Sequence, residues 1–301
     1  MAAPSEAQLF ETLRPGAFAV AYRMLGSVGE AEDMVQEAFL RLHRTLQEGE
    51  RLDSPRAYLS TVVTRLCIDH LRAARTRREQ YVGEWLPEPL VEGAGDDPAH
   101  HAEVADSLSL AFLVLLERLS PEQRAAFLLR DVFDYDYEEI ARIIGTSEDN
   151  ARQLAARARK HVQASRPRFE ASPERREQLA QRFFAAVEEG DLKALEELLA
   201  QDVVLHGDGG GRVTAIPGPL HGRARIARTL LAWARAAVRA GGYAMRRVTV
   251  NGQPGAMLFD SRGRLISVLA LEIADGHIRA LSSIINPDKL RHLGPPTDLL
   301  R

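Results

Sequence analysis

The residues best suited to chemistry in this 301-residue chain are basic side chains spaced for contact with nucleic acid. The segment 150–168 carries six arginines and lysines and no acid. After Ser147 its apolar positions recur every three or four residues, which predicts a helix with one buried face. Arg and Gln side chains on such a helix can bond guanine and adenine edges in the major groove. The outward positions, which we predict to read DNA, are Arg152, Gln153, Arg157 and Lys160.

The residues before this helix predict how it is held. A short apolar helix ending at Ile144 is followed by Gly145-Thr146-Ser147, in which Ser147 is placed to cap the next helix. The acids that follow, Glu148 and Asp149, suit the positive end of a helix dipole. This pattern predicts a helix-turn-helix. An amphipathic helix with a merely solvated basic face is the alternative.

A second basic segment, 56–80, has a net charge of +4 from six arginines and two acids. Its polar positions recur at helical spacing, so it could hold a nucleic-acid strand through phosphates and exposed bases. A solvated helix explains the segment equally well. The residues predicted to contact DNA here are Arg56, Thr64, Arg65, Asp69, Arg72, Arg75, Arg77 and Arg78.

His206 and Asp208 are the pair that could support catalysis. Lying two apart, they would share one face of a strand and could act as acid and base. The glycines 209–211 equally suit a turn that another segment approaches closely. Three interpretations stay open: catalysis, sensing of a small ligand, and docking of another part of the chain, which is favoured. The single Cys67 and the lack of zinc-ligand spacing predict no metal and no cofactor.

The elements that position these residues fall into three parts. Helical spacing continues to about Tyr81, and it resumes at Leu108. Between them, residues 84–106 hold seven acids and no Lys or Arg, yet this linker displays Trp85 and Leu86 beside prolines. After Pro167, helices and then alternating strands predict an α+β domain with an antiparallel sheet. No apolar run approaches the roughly 18 residues that span a bilayer and the start lacks the order of a secretory signal, so we expect a cytoplasmic protein.

The first two parts together resemble a bacterial RNA polymerase sigma factor of the extracytoplasmic function (ECF) type. The resemblance rests on "AEDMVQEAFLRLHR", "YLSTVVTRLCIDHLRA" and "LSPEQRAAFLLRDVFDYDYEEIARIIGTSEDNARQLAARARK". It implies, in that order, a helix that docks on the polymerase clamp, an element for the −10 promoter region and a −35-binding domain. Arg65 stands where many relatives have Asn. The residues implied to bind core polymerase are Asp33, Gln36, Glu37 and Arg41.

The last part resembles the SnoaL-like cone fold, in which a curved sheet wraps around a pocket under helices. "WLPEP", "DGGGR" and "NPDKL" together resemble the sigma subgroup with such a domain fused at its C-terminus. The resemblance implies regulation in cis, without a separate anti-sigma protein. We expect docking between linker and domain, with Arg212 or Lys289 pairing with Glu84 or Glu88. The residues expected at this contact are Trp85, Leu86, Pro87, Glu88, Asp208, Gly209, Gly210, Gly211, Arg212, Asn286, Pro287, Asp288, Lys289 and Leu290.

The sequence thus predicts a multidomain protein: two all-α sigma domains, the second a helix-turn-helix, followed by an α+β SnoaL-like cone fold with a curved antiparallel sheet. The expected partners are promoter DNA and core RNA polymerase. The polymerase contacts are expected on the clamp of its largest subunit and the flap of the second largest. No membrane partner is expected, and the sequence leaves open a small ligand in the C-terminal pocket. An enzyme of the cyclase or isomerase type, or a ligand sensor, fused to a DNA-binding module is the alternative function. The predicted boundaries are 1–80 for sigma region 2, 81–106 for the linker, 107–168 for region 4, 172–290 for the SnoaL-like domain and 291–301 for a tail.

Overall fold

The computed structural model describes residues 6–79, 81–93, 109–163 and 172–297, with the side chains of 74–79 left out. The chain forms two compact units. One, here the helical unit, comprises Met1–Gln80, Asp97–Leu108 and Phe112–Arg166. The other, here the C-terminal unit, comprises Tyr81–Asp96, Ser109–Ala111 and Pro167–Arg301. The first residues of the predicted linker therefore belong to the C-terminal unit.

Local capping residues set where the helices of the first half begin. Ser54 accepts a hydrogen bond from the Ala57 amide at 3.2 Å, and Ser120 forms a reciprocal capping box with Gln123. The helices are α1 (Glu6–Leu25), α2 (Val28–Gln47), α3 (Pro55–Glu79), α4 (Leu110–Leu116), α5 (Pro121–Asp131), α6 (Tyr137–Ile144) and α7 (Glu148–Gln163). Among the described helices, none is long and apolar enough to cross a membrane.

The predicted helix-turn-helix is formed by α6 and α7. Gly145 ends α6 with a left-handed backbone, φ 73°, and the Ser147 hydroxyl accepts a bond from the Asn150 amide that starts α7. Small residues on α7, Ala151 and Ala155, are fully buried against Ile140. This close packing fixes α7 with its basic face outward.

In the described residues of the C-terminal unit, three helices pack against a six-stranded sheet. Its elements are α8 (Pro173–Glu189), α9 (Leu192–Leu198), β1 (Leu199–Asp208), β2 (Leu220–His221), α10 (Arg223–Arg239), β3 (Tyr243–Val250), β4 (Gln253–Asp260), β5 (Leu265–Ala274) and β6 (His277–Ile284). The strand order is β2-β1-β6-β5-β4-β3. The core between helices and sheet contains Phe183, Phe184, Leu195, Ile226 and Leu281.

The sheet is mixed rather than antiparallel throughout, which corrects the sequence prediction. β1 and β6 run parallel, with Leu205 opposite Leu281 and Asp208 opposite Ile284. A parallel pair needs a long crossover between its strands, and here the crossover contains α10 and β3 to β5. The alternating pattern of each strand carries no record of its neighbour's direction, so the sequence could not settle this point.

Candidate functional site

The end of strand β1 presents two different surfaces because successive side chains point to opposite faces of a sheet. His206 and Asp208 face the linker, whereas Gly207 between them lines a cavity under the helices. The sequence favours a docking role for the His206/Asp208 pair. The structure brings the linker onto both residues.

Asp208 is the centre of the contact. Its carboxylate is fully buried and accepts three bonds from different parts of the C-terminal unit. Oδ1 accepts from the Tyr81 hydroxyl at 2.5 Å, and Oδ2 accepts from the Leu86 amide at 2.8 Å and from Lys289 Nζ at 2.7 Å. A buried carboxylate needs such donors because burial strongly disfavours an uncompensated charge.

Lys289 is held on several sides. Besides its ion pair with Asp208, its ammonium donates to the Leu86 carbonyl. It also lies 4.2 Å from the ring centroid of Trp85 and 5.0 Å from that of Tyr81. A cation in this position is attracted by the faces of aromatic rings. Trp85 of the "WLPEP" motif thus covers the buried lysine of the "NPDKL" motif.

Asn286 and the glycine turn complete the contact. The Asn286 amide side chain donates to the Tyr81 hydroxyl at 3.0 Å, and its backbone amide donates to the Asp208 carbonyl at 2.9 Å. Gly210 has φ 60°, and a Cβ there would lie 2.1 Å from Asn286 Nδ2. Glycine is required because neither the backbone angle nor the approach of Asn286 leaves room for a side chain. We call Tyr81, Leu86, Asp208, Asn286 and Lys289 the docking cluster.

Burial raises the pKa of Tyr81 well above its usual range, and the bond to Asp208 adds to this effect. The phenol therefore stays protonated and can donate to Asp208 while it accepts from Asn286. The neighbouring apolar residues of the motif, Leu86 and Pro87, are buried. The docking cluster is consequently a largely buried contact in which the polar groups are bonded to one another.

The ion pairs around the cluster differ from those expected. The Glu84 carboxylate binds His206 Nδ1 at 2.5 Å and the Gly207 amide at 3.3 Å, rather than Arg212 or Lys289. Arg212 instead binds Asp288 at 3.1 Å. Lys289 pairs with Asp208, the more deeply buried carboxylate. A counter-ion stabilises a buried carboxylate more than a partly exposed one.

Residues 90–92 of the linker lie along the end of β3, at the edge of the sheet. The Leu90 amide donates to the side-chain oxygen Oδ1 of Asn251 at 3.0 Å, and the Asn251 amide donates to the Leu90 carbonyl at 2.8 Å. The Glu92 amide donates to the Thr249 carbonyl at 3.0 Å. His292 Nε2 lies 2.9 Å from the Pro89 carbonyl. Tyr81, Asn251 and His292 are contact residues that the sequence did not predict. Asn251-Gly252 was readable as a turn, but nothing local indicated its partner on the linker.

The remaining docking residues also lie in the C-terminal unit. Leu290 is buried, Glu88 is half-buried and Pro287 starts a short 3₁₀ turn, Pro287–Lys289. Gly211, φ 68°, lies against Val82 of the linker. Residues 94–106 of the predicted linker lie outside the described residues.

In the helical unit, the outer face of α7 is exposed as predicted. Arg152, Gln153, Arg157 and Lys160 are all exposed, whereas Ala158 beneath them is buried. Arg152 pairs with Glu148 and lies 4.7 Å from the Tyr137 ring centroid. This face is geometrically open to a DNA groove.

On α2, Asp33, Gln36 and Arg41 are exposed and Glu37 is half-buried, paired with Arg41 at 2.8 Å. Leu40 lies among them with 51% of its surface exposed. Leu40 is not among the residues predicted for this surface. Its position outside the buried stripe of α2 was the available signal.

The predicted −10 residues on α3 are divided among different environments. Arg56 and Asp69 are exposed. Arg65 donates to the carbonyls of Arg142 and Ile143 at the end of α6, both at 2.8 Å. These two bonds cap the carboxyl end of the first helix of the helix-turn-helix.

Arg72 binds Glu122 on α5 through two nitrogens, at 2.7 and 3.0 Å. Thr64 is fully buried, so the prediction that it contacts DNA is wrong for this conformation. Its position on the helix places it beside Val63 and Cys67, on the face that packs inward. The side chains of Arg75, Arg77 and Arg78 lie outside the described part of the chain.

Three family models match the chain: Sigma-70 region 2 over residues 9–77, Sigma-70 region 4 over 109–162 and a SnoaL-like domain over 180–282. The chain is 39% identical over 292 residues to the ECF RNA polymerase sigma factor SigJ of Mycobacterium tuberculosis (strain ATCC 25618 / H37Rv), which covers 94% of this chain and 93% of that protein. It is 36% identical over 275 residues to the probable ECF RNA polymerase sigma factor SigI of the same species (strain CDC 1551 / Oshkosh), with 90% of each covered. The crystal structure of M. tuberculosis SigJ matches with a TM-score of 0.78 at 36% identity, over 97% of this chain and 100% of that one.

Proposed function

Because the chain belongs to the ECF RNA polymerase sigma factors, we propose that its C-terminal SnoaL-like domain regulates it in cis, by docking on the linker between the sigma domains. As a sigma factor it directs promoter-specific transcription initiation, and it is not an enzyme. The proposal assigns it core polymerase and promoter DNA as partners, in the cytoplasm, without a separate anti-sigma protein.

The proposed roles follow the three surfaces of the helical unit. The α2 surface around Gln36 binds the polymerase clamp, α3 binds the −10 element and α7 reads the −35 duplex. We assign residues 1–80 and 107–168 to these two sigma domains, 81–106 to the linker, 172–290 to the regulatory domain and 291–301 to a tail. An acidic surface supports a protein partner, since carboxylates repel phosphate.

The observation that carries the proposal is the buried pair of Asp208 and Lys289, closed by Leu86 and Tyr81 of the linker. A linker segment that merely connects two domains needs no buried ion pair. Here both the backbone amide and the carbonyl of Leu86 are bonded inside the cluster. Releasing the linker would leave Asp208 and Lys289 with fewer partners, so the contact is held strongly.

Docking can act on transcription because the linker sets the distance that the two sigma domains span. A free linker is flexible and samples many separations, whereas a docked one has a fixed path over residues 81–93. Changing the free-energy difference between the docked and released states by about 1.4 kcal/mol changes the ratio of their populations tenfold. Small changes in the cluster should therefore change promoter use.

The experiment is promoter-directed transcription by the full chain with core polymerase. Lys289→Met and Trp85→Ala each weaken the docking cluster without touching a surface proposed to bind DNA or polymerase. Both should change the transcript yield in the same direction, by about threefold or more. Lys193→Met, at an exposed position of the same domain, is the matched control and should leave the yield unchanged. Equal yields from all four proteins would reject regulation through the linker.

A further inference from the structure

The C-terminal unit contains a cavity on the face of the sheet opposite the docking cluster. Its volume is about 590 Å³, and it lies between α8, α10 and the strands. Its wall is dominated by apolar side chains, among them Phe183, Trp233, Met245, Leu258 and Leu269. Ligand-binding pockets in proteins have volumes of roughly 300–1,000 Å³. The cavity therefore has the size of a small-molecule site.

The chemistry of the wall restricts what could enter. Among the described residues, no charged side chain lines the cavity, and the hydroxyl groups on it belong to Thr214, Tyr243, Ser267 and Ser283. A charged ligand would lose its hydration there without gaining a counter-ion. Hydroxyl groups can bond one or two neutral carbonyl or hydroxyl groups of a ligand.

We propose that this cavity is a receptor site for an uncharged, largely apolar small molecule bearing a neutral polar group. Trp233 marks the entrance, since it lines the cavity while 40% of its surface remains exposed. The site does not act as a cyclase-type active site. The acid/base pair that such an enzyme would need, His206 and Asp208, points to the other face of β1 and is bound by the linker.

The bound molecule touches the backbone that holds the linker. Gly207 lines the cavity, and its amide donates to Glu84 of the linker. Ile285 also lines the cavity, and its amide donates to the carbonyl of Asp208 at 2.9 Å. A ligand that shifts either residue changes the geometry of the docking contact. This step rests on the proposed regulation in cis, whereas the receptor site itself does not.

The test uses a pair of fluorescent compounds with the full chain. N-phenyl-naphthylamine is neutral, and anilinonaphthalenesulfonate has the same rings with an added sulfonate. The neutral compound should bind at least about tenfold more tightly than the anion. Ala234→Phe, which fills the cavity from α10, should reduce its binding about tenfold or more. Ala232→Phe, the same change at an exposed position of the same helix that does not line the cavity, should bind like the original protein.

Equal binding of the two compounds, or undiminished binding by Ala234→Phe, would overturn the receptor site. Circular dichroism checks that both variants fold. If Ala234→Phe does not fold, the comparison of the two compounds with the unaltered chain still decides the question. Hydrogen exchange of the Leu86 and Leu90 amides with and without the neutral compound tests the connection to the linker, with a change of about threefold or more expected. Unchanged exchange despite binding would overturn that connection alone. The effect of Lys289→Met on transcription needs no ligand, so failure of one proposal is distinguishable from failure of the other.

Discussion

Lys289 is the residue at which the contacts of the linker converge. It binds Asp208, the Leu86 carbonyl and the face of Trp85, and only 9% of its side chain is exposed. Removing one member of a buried ion pair leaves the other charge uncompensated, at a cost of about 3–5 kcal/mol. We expect Lys289→Met to lower the free energy of unfolding of the C-terminal unit by about that amount.

Both tryptophans, Trp85 and Trp233, lie in the C-terminal unit, so their fluorescence during denaturation by urea follows that unit. A double-mutant cycle with Asp208→Asn should show a coupling of about 1 kcal/mol or more. Lys193→Met serves as control. If Lys289→Met lowers the free energy of unfolding by less than about 1 kcal/mol, the Asp208–Lys289 pair contributes little to the stability of the C-terminal unit.

Gly210 tests the glycine turn. A Cβ at this position meets both a left-handed backbone angle and the side chain of Asn286. The backbone term alone costs about 1–2 kcal/mol, so Gly210→Ala should accelerate amide exchange at Tyr81 and Leu86. At Gly218, φ is not positive and a Cβ would meet no atom within 4 Å, so Gly218→Ala is the matched control. If the Tyr81 and Leu86 amides exchange at the same rate in both variants, the Gly210 turn is not needed to hold the linker.

At the scale of elements, α7 carries the prediction for DNA. Arg152→Ala should cost about 1–3 kcal/mol for the preferred −35 duplex and relax specificity at one base pair. Lys160→Ala should weaken all sequences alike and lower the salt slope by about one. Fluorescence anisotropy with the full chain at several salt concentrations measures both effects. The control for net charge is Arg182→Ala, at an exposed position of the C-terminal unit. If it loses as much affinity for the −35 duplex as Arg152→Ala does, the surface that reads DNA is not on α7.

Helix α3 presents a different case because two of its predicted DNA-binding arginines are already bound within the helical unit. Arg72 is held by Glu122, in a pair that remains partly exposed, with 58% and 31% of the side chains accessible. Exposed pairs contribute about 0–1 kcal/mol, so Glu122→Gln should tighten binding of a −10 single strand by up to about fivefold. Glu138→Gln, which loses a long pair with Arg142, is the control. Weaker binding by Glu122→Gln would contradict competition between Glu122 and DNA.

For the whole molecule, the formal net charge of −3 hides a separation of charge that matches its proposed partners. The described parts of the basic segments lie on α3 and α7, and the exposed acid of α2 lies beside Gln36 and Leu40. Reversing two acids, Asp33→Lys with Glu37→Lys, should weaken core polymerase binding about tenfold or more, since two favourable contacts become repulsive. Binding to the −35 duplex should not weaken. Surface plasmon resonance with immobilised core measures the first, and unchanged affinity would remove α2 from the interface.

The sequence by itself determined the elements and their order. Capping signals and periodicity act within about four residues, so the cap predicted at Ser147 is formed, and Ser54 and Ser120 cap helices in the same way. Capping and periodicity are properties of local chemistry, which a single chain displays without its fold. The resemblance to the sigma subgroup with a fused domain also implied which segments would meet, since Trp85, Asp208 and Lys289 belong to its three motifs.

Only the tertiary structure decided the partners of buried and paired side chains. Lys289 lies 81 residues from Asp208, and their pairing depends on which carboxylate is more deeply buried after folding. The same holds for Thr64, which the packing of α3 removes from solvent, and for the parallel pairing of β1 with β6. Desolvation and sheet registry arise from contacts distant in sequence. For this reason the motifs of the resemblance pointed to the docking surface, but the sequence did not give its bonds.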